Sequence, residues 1–315
     1  MPLTSIILAA GKSTRMKSRL PKPLHDVCGV PMLGWILQAC FDAGSDRVIV
    51  VVGHGKDEVI ARFGSDKRII WVEQTEQLGT GHAVRMCEPE LRKAHGDVFI
   101  LAGDGPLIRA EVLRNIRNAH RDEHAAGTLA TAVLDDATGY GRIARDDAGN
   151  FVAIVEHSDA TPEQLKISEV FPSYYCVKSD DLLAALPKLT NHNAKREYYL
   201  TDIYAILKEA GKKVLAVQAV TAEDTLSVNT RQQLADVDAL MQARIQREHR
   251  AAGVTIVQGS SVYVEAAATI GMDTTIHPFS FIGSRTAIGS SCVIGPFANV
   301  PRESIVPDGA SVKGS

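Results

Sequence analysis

With 315 residues, 45% of them hydrophobic and 23% charged, the chain has an ordinary globular composition and room for one large domain and a smaller one. A net charge of −3 argues against nucleic acid or an anionic membrane surface as partner. No apolar run reaches the roughly eighteen residues of a membrane span, no basic-then-apolar leader is present, and the five cysteines (28, 40, 87, 176 and 292) contain no CxxC pair, which suits a cytoplasmic protein with reduced thiols and no structural zinc.

In chain order, the apolar run Leu3 to Ala9 reads as a buried first strand, and the stretch from Leu8 to Pro23 as its loop. Between Gly11 and Lys22 lie five basic residues (Lys12, Arg15, Lys17, Arg19, Lys22) and no acid. Gly11 lets backbone approach a ligand closely, and successive loop N–H groups form an anion-binding concavity. Pro21 and Pro23 stiffen the backbone that carries Lys22. The combination fits a polyphosphate ligand. It is not a P-loop, which needs glycine where Ile6 stands, nor does Gly79-Thr-Gly81 complete a dinucleotide fingerprint, since Val84 occupies the third glycine position.

Further along, the pattern predicts helices at 31–43, 56–63, 82–94 and 110–123, with strands at 46–52, 68–73 and 97–102. This βαβα order implies a mostly parallel sheet with ligands at the carboxyl ends of its strands. Short alternating strands at 128–134, 141–144, 151–156 and 167–177 read as an antiparallel excursion. Helices near 180–186 and 198–210 and a strand at 213–220 restore the α/β pattern. Thr230 with Gln233 forms a capping-box signature for a long helix whose inner face carries Leu234, Val237, Met241 and Ile245, with Gly253 as its stop. From Val264 to Val312 an aliphatic residue recurs every six positions, nine times, and glycine follows at 271, 283, 289 and 295. That period marks a left-handed parallel β-helix of three coils. The expected division is an α/β domain at 1–229, a linker helix at 230–253 and a short β-helix at 254–315.

The run Leu8-Ala-Ala-Gly-x-x-Thr-Arg-Met, followed by Pro21-Lys-Pro-Leu-His25, resembles the signature of the sugar-1-phosphate nucleotidyltransferases, which have a Rossmann-like fold. In its long form it is most similar to the N-acetylglucosamine-1-phosphate uridylyltransferase type, the N-terminal half of a bifunctional bacterial enzyme. The resemblance implies that Leu8, Ala9, Ala10, Gly11 and Gly103 contact the nucleotide, that Arg15 and Lys22 are catalytic, and that Gln74, Gly79 and Thr80 read the uracil. An amide such as Gln74 can donate to O4 and accept from N3–H, but a flipped amide would suit cytosine equally, so base choice would rest on the backbone groups at Gly79. It further implies Mg²⁺ as cofactor on Asp104 and Asn229, and Gly141, Glu156 and Thr201 at the sugar. Phe171 stands where the family places a sugar-binding asparagine. His82 and His54 read as structural. The reaction implied is transfer of UMP from UTP to a hexosamine 1-phosphate, without the acetyl transfer of the second half, in a homotrimer of the kind hexapeptide proteins form. Two alternatives keep the fold: another sugar or base, or a silent nucleotide-sugar-binding scaffold.

Overall fold

The computed structural model describes residues 2–12 and 14–314; Met1, Ser13 of the basic loop and Ser315 lie outside it. The chain forms two compact units, one made of Met1–Leu24 and Leu33–Ser227, the other of His25–Met32 and Val228–Ser315.

The elements run β1 (Leu3–Leu8), β2 (Asp26–Val27), β3 (Val30–Pro31), α1 (Met32–Asp42), β4 (Arg47–Val52), α2 (Lys56–Phe63), β5 (Ile69–Glu73), α3 (Thr80–Met86), α4 (Glu88–Leu91), β6 (Asp97–Ala102) and α5 (Ala110–Asp122). They continue through β7 (Gly127–Val133), β8 (Gly141–Arg145), β9 (Phe151–Val155), β10 (Glu169–Phe171), β11 (Tyr174–Lys178), α6 (Ser179–Ala185), α7 (Ile203–Glu209), β12 (Val214–Gln218) and α8 (Arg231–Ala251). In the first unit one sheet has the order β5-β4-β1-β6-β11-β7-β10-β8-β9, with β12 beside β7. From β5 to β6 all pairs are parallel, whereas β11 runs antiparallel to both β6 and β7.

Alternate strand residues supply two cores. Ile7, Val48 and Val50 pack with Leu33 and Ile36 of α1 and Val112 and Ile116 of α5. Ile6, Ile49 and Val51 pack with Val84 of α3, Leu182 of α6 and Ile203 of α7. A strand buried on both faces has no polar side to show, which is why β4 and β6 carry the continuous apolar runs Val48–Val52 and Val98–Ala102, and β1 ends in Ile6–Leu8. The chain moves from β1 to β4 and β5 on one side, and returns to β6 on the other. This reversal leaves a crevice between the carboxyl ends of β1 and β6.

Three expectations are corrected. The helix foreseen at 82–94 is two, because Pro89 has no N–H for the Arg85 carbonyl; α3 stops at Met86 and α4 restarts with Pro89 in its first turn. The strand foreseen at 167–177 is also two. Pro172 and Ser173, at φ 65°, turn the chain so that β10 pairs with β7 and β8 while β11 pairs with β6 and β7. The hexapeptide stack gains Ile256, which pairs with Ile276 although it lies eight residues, not six, before Val264. Gln258, at φ 52°, and the 3-10 turn Gly259–Ser261 absorb the two extra residues.

The second unit is the left-handed β-helix, with ten two-residue strands from Thr255–Ile256 to Ser311–Val312 in three parallel sheets. Its first coil is closed by buried glutamines of α8. Gln242 both donates to the Val264 carbonyl (2.6 Å) and accepts from the Val264 N–H (3.0 Å), as a neighbouring strand would. Gln246 donates to the carbonyls of Gly259 and Val262.

At the start of β6, Asp97 is buried. Burial opposes its ionisation, but hydrogen bonds from Arg117 (3.0 Å) and Arg121 (2.8 Å) outweigh that and lower its pKa. Beside it, fully buried His120 bonds Thr128 Oγ1 through Nδ1 (2.9 Å), and burial pushes its pKa down to about 4. The unfolded chain takes up this proton near pH 6.5 and the folded chain only near 4, so stability falls as pH drops through that window. His120 is expected to contribute on the order of 3 kcal/mol of that fall, since each tenfold change in proton affinity is worth about 1.4 kcal/mol. Urea denaturation at pH 7.0 and 4.5 checks it: His120→Gln should narrow the difference between the two midpoints.

Candidate active site

The site assembles around backbone that only small residues permit. After β1, the Ala9 N–H donates to the Val51 carbonyl (2.9 Å), and the Gly103 N–H donates to the Leu8 carbonyl (2.9 Å). A Cβ on Gly53 would lie 2.7 Å from the Ala10 oxygen, and one on Gly103 would lie 2.6 Å from the Leu8 oxygen. Both contacts are too short for any side chain, so glycine is required at the ends of β4 and β6. Gly11 differs: a Cβ there would meet no protein atom within 4 Å, so what its absence keeps clear is the solvent side of the loop. Arg15 sits exposed in a 3-10 turn, Thr14–Met16.

Lys22 opens a second 3-10 turn, Lys22–Leu24, between buried Pro21 and Pro23. Its Nζ donates to Asp104 Oδ2 at 2.7 Å, with the two side chains 15% and 25% exposed. Two residues 82 positions apart thus meet across the mouth of the β1/β6 crevice. Asn229 belongs to the second unit, where its N–H donates to Gln233 Oε1 (2.8 Å) beside the Thr230–Gln233 capping box.

The loop after β5 forms another wall. Gln77, not singled out from sequence, donates from Nε2 to the Ala10 carbonyl at 2.7 Å and ties this wall to the phosphate loop. A glutamine in a polar loop carries no sequence signal of such a reach. Gly79 adopts φ 108°, open to glycine alone, and a Cβ there would collide with the Tyr198 oxygen at 2.6 Å. The segment 198–200 is bound along this loop: Tyr198 N–H to the Leu78 carbonyl, Gly81 N–H to the Tyr198 carbonyl, and Leu200 N–H to Thr80 Oγ1. Gln74 is 5% exposed, and its Nε2 lies 3.1 Å from the Gly79 oxygen and 3.0 Å from His82 Nδ1. The amide therefore does not have a donor to spare for O4 of a base, which corrects that part of the sequence reading.

Glu156 and Thr201 lie together. Thr201 Oγ1 donates to Glu156 Oε1 (3.2 Å), and a Cβ on Gly141 would lie 3.8 Å from Glu156 Oε2. Both line a pocket of ≈ 270 Å³ with Asp159, His192, Tyr199 and Asp202. Burial raises the pKa of Glu156, and burial together with the Glu156 and Asp159 charges raises that of Asp202. Phe171 is not on that lining. Its ring, 4% exposed, packs edge-on against Tyr175 (4.7 Å) and Tyr204 (6.4 Å), and those two rings are stacked (5.8 Å). It is core, so Phe171→Asn is expected to cost on the order of 3 kcal/mol and bury an unpaired amide, which a lower denaturation midpoint will register.

Comparison with known proteins places residues 5–201 within the MobA-like NTP transferase domain family. The chain is 45% identical to the bifunctional protein GlmU of Brevibacillus brevis over 94% of its own length and 64% of the relative's. It is 42% identical to the bifunctional protein GlmU of Alkaliphilus metalliredigens over 100% of its length and 68% of the relative's. It thus spans about two thirds of these curated relatives. Among solved structures, UDP-glucose pyrophosphorylase complexed with UDP-glucose superposes with a TM-score of 0.64 at 16% identity, covering 78% of this chain and 100% of that one, a likeness of fold.

Proposed function

We propose that this chain, which belongs to the MobA-like NTP transferase family, transfers UMP from UTP to N-acetylglucosamine 1-phosphate and releases pyrophosphate. The observation that carries the proposal is the meeting of the basic loop and Asp104 at the β1/β6 crevice, with Lys22 Nζ 2.7 Å from the Asp104 carboxylate. A sugar-1-phosphate oxygen attacks the α-phosphorus, the bond from that phosphorus to the β-bridging oxygen breaks, and its electron pair leaves with pyrophosphate. The nucleophile is already an anion, so no side chain acts as base, and catalysis consists of positioning and charge. The loop after β1, with Arg15 and Lys22, offsets charge on the phosphates. Gln74 and the Gly79 and Thr80 N–H groups face the base, while Gly141, Glu156 and Thr201 serve the sugar.

The donor set fits Mg²⁺. Asp104 offers one hard oxygen ligand, and among the described residues no three His, Cys, Asp or Glu side chains gather to hold a metal by themselves. Mg²⁺ binds in that way, through one or two protein oxygens with substrate phosphates and water completing the shell. When bound, it supplies positive charge to the phosphoryl oxygens. Asn229 as second ligand rests on the family resemblance alone. Among the described residues no helix is long and apolar enough to cross a membrane, and a cytoplasmic location is part of the proposal.

Mg²⁺-dependent pyrophosphate release, assayed over a panel of nucleoside triphosphates and sugar 1-phosphates, tests the reading. Asp104→Ala should lower kcat by roughly 10²–10³-fold, the scale of one preorganised charge contact; near wild-type turnover would remove the metal assignment. Acetyl-CoA consumption with glucosamine 1-phosphate is expected to be absent. We further propose a homotrimer through the β-helix, which exposes the stacked rings of Phe279 and Phe297 (5.1 Å) together with Met272 and Ile305. Sedimentation at micromolar protein should give about three times 33.9 kDa.

A further inference from the structure

We propose that Gly55 positions Lys22. By presenting no side chain to Pro21, it lets the proline ring seat the turn that carries the Lys22 ammonium to Asp104. The effect on turnover rests on the reading of Lys22 as catalytic.

Gly55 ends the link Gly53-His54-Gly55 between β4 and α2. The link is held from both sides: the Lys56 N–H donates to the Gly53 carbonyl (3.2 Å), and the Val59 N–H donates to the Gly55 carbonyl (3.3 Å) at the start of α2. Gly55 sits at φ 72° and ψ 23°, in the left-handed region. A Cβ there would overlap Pro21 Cγ and lie 3.0 Å from Pro21 Cβ. Gly53 already abuts Ala10, so this short link touches the basic loop near both its ends, after β1 and directly before Lys22.

Proline is poorly able to give way. Its ring fixes φ and cannot swing aside as the tip of a long side chain can. Pro21 is buried, and its carbonyl accepts the Leu24 N–H (2.9 Å) across the turn Lys22–Leu24. A side chain on Gly55 therefore displaces the ring, the ring displaces the turn, and Lys22 Nζ leaves its place 2.7 Å from Asp104 Oδ2. A misplacement of about 1 Å can cost about 10²-fold in rate. Gly55 is a positioning residue: it acts through Pro21 on Lys22.

Gly44, after α1, supplies the control. Its φ of 91° is also left-handed, but a Cβ there would meet nothing within 4 Å. Alanine at either position imposes backbone strain, and only at 55 does it add a collision.

The test uses the full chain, with pyrophosphate release from UTP and N-acetylglucosamine 1-phosphate measured beside urea midpoints. Gly55→Ala should lower kcat about 10²-fold, with KM for either substrate within about threefold. Gly44→Ala should lower the midpoint but leave kcat within about twofold. Asparagine tolerates left-handed backbone yet keeps the Cβ, so Gly55→Asn should regain part of the midpoint and none of the turnover. In the Lys22→Ala background, Gly55→Ala should slow turnover by no more than about twofold further. A readout independent of the reaction is acetylation of Lys22 by acetic anhydride, followed by mass spectrometry. The Lys22 side chain is 15% exposed and paired, so its labelling should be severalfold faster in Gly55→Ala than in Gly44→Ala. Unchanged labelling overturns the inference, as does wild-type turnover in Gly55→Asn or additive losses for Lys22→Ala and Gly55→Ala. Turnover untouched by Lys22→Ala, with faster labelling in Gly55→Ala, instead overturns the catalytic reading of Lys22 and leaves Gly55 as the residue that places it.

Discussion

Everything at the site is mounted on one close approach. The backbone at Leu8–Ala10 leaves β1 and passes within hydrogen-bonding distance of the ends of both β4 and β6. It does so because Gly53 and Gly103 present no side chain there. A methyl group at either position would push the loop away by the better part of an ångström. The strand ends would then part, and the surface on which Lys22 meets Asp104 would open. Two backbone hydrogen bonds of 2.9 Å are the attractive half of this constraint, and the absence of two Cβ atoms is the permissive half.

The second wall is built by polar groups that are nearly all engaged. Gln77 reaches the Ala10 carbonyl, Thr80 receives Leu200, and Gln74 is held by Gly79 and His82. Ordering a loop costs about 1–2 kcal/mol of backbone entropy per residue, which a polar surface segment recovers only through such cross-links. The result is a rigid rim in a stretch whose composition suggests flexibility. The pocket at Glu156 follows the opposite logic. The carboxylates of Glu156 and Asp202 are partly dehydrated, which raises their pKa values and leaves acceptors that neutral hydroxyl or amide donors can satisfy.

In the second unit a recurring backbone conformation does similar service. Ala267, Asp273, Phe279, Arg285, Ser291, Phe297 and Glu303 all sit at positive φ, six residues apart, and turn the three corners of each coil. Three residues before each corner an aliphatic side chain points inward. Between them stand the glycines; a Cβ on Gly271 would lie 2.5 Å from the Ser290 nitrogen of the next coil. The cost of seven left-handed non-glycine residues is offset by parallel pairing that repeats at every coil.

The strand–helix alternation, the buried parallel strands, the capping box at Thr230 and the six-residue repeat were legible from the chain because each is a local pattern. A strand buried on both faces has to be apolar throughout, and a coil of three equal sides has to place aliphatics at a constant interval. The candidate site residues came from a different kind of signal, a contiguous run from Leu8 to Lys22 with later motifs in order. What the sequence alone did not decide was direction and partnership. Phe171 takes its place among Tyr175 and Tyr204 because three aromatic rings from distant segments need the same space. The orientation of the Gln74 amide depends on a carbonyl and an imidazole that the turn at Gly79 carries to it. Lys22 finds Asp104 across 82 residues only after the sheet has ordered β1 beside β6. Periodicity and composition are properties of neighbours in the chain, whereas hydrogen-bond partners are chosen by neighbours in space, and that choice belongs to the tertiary structure.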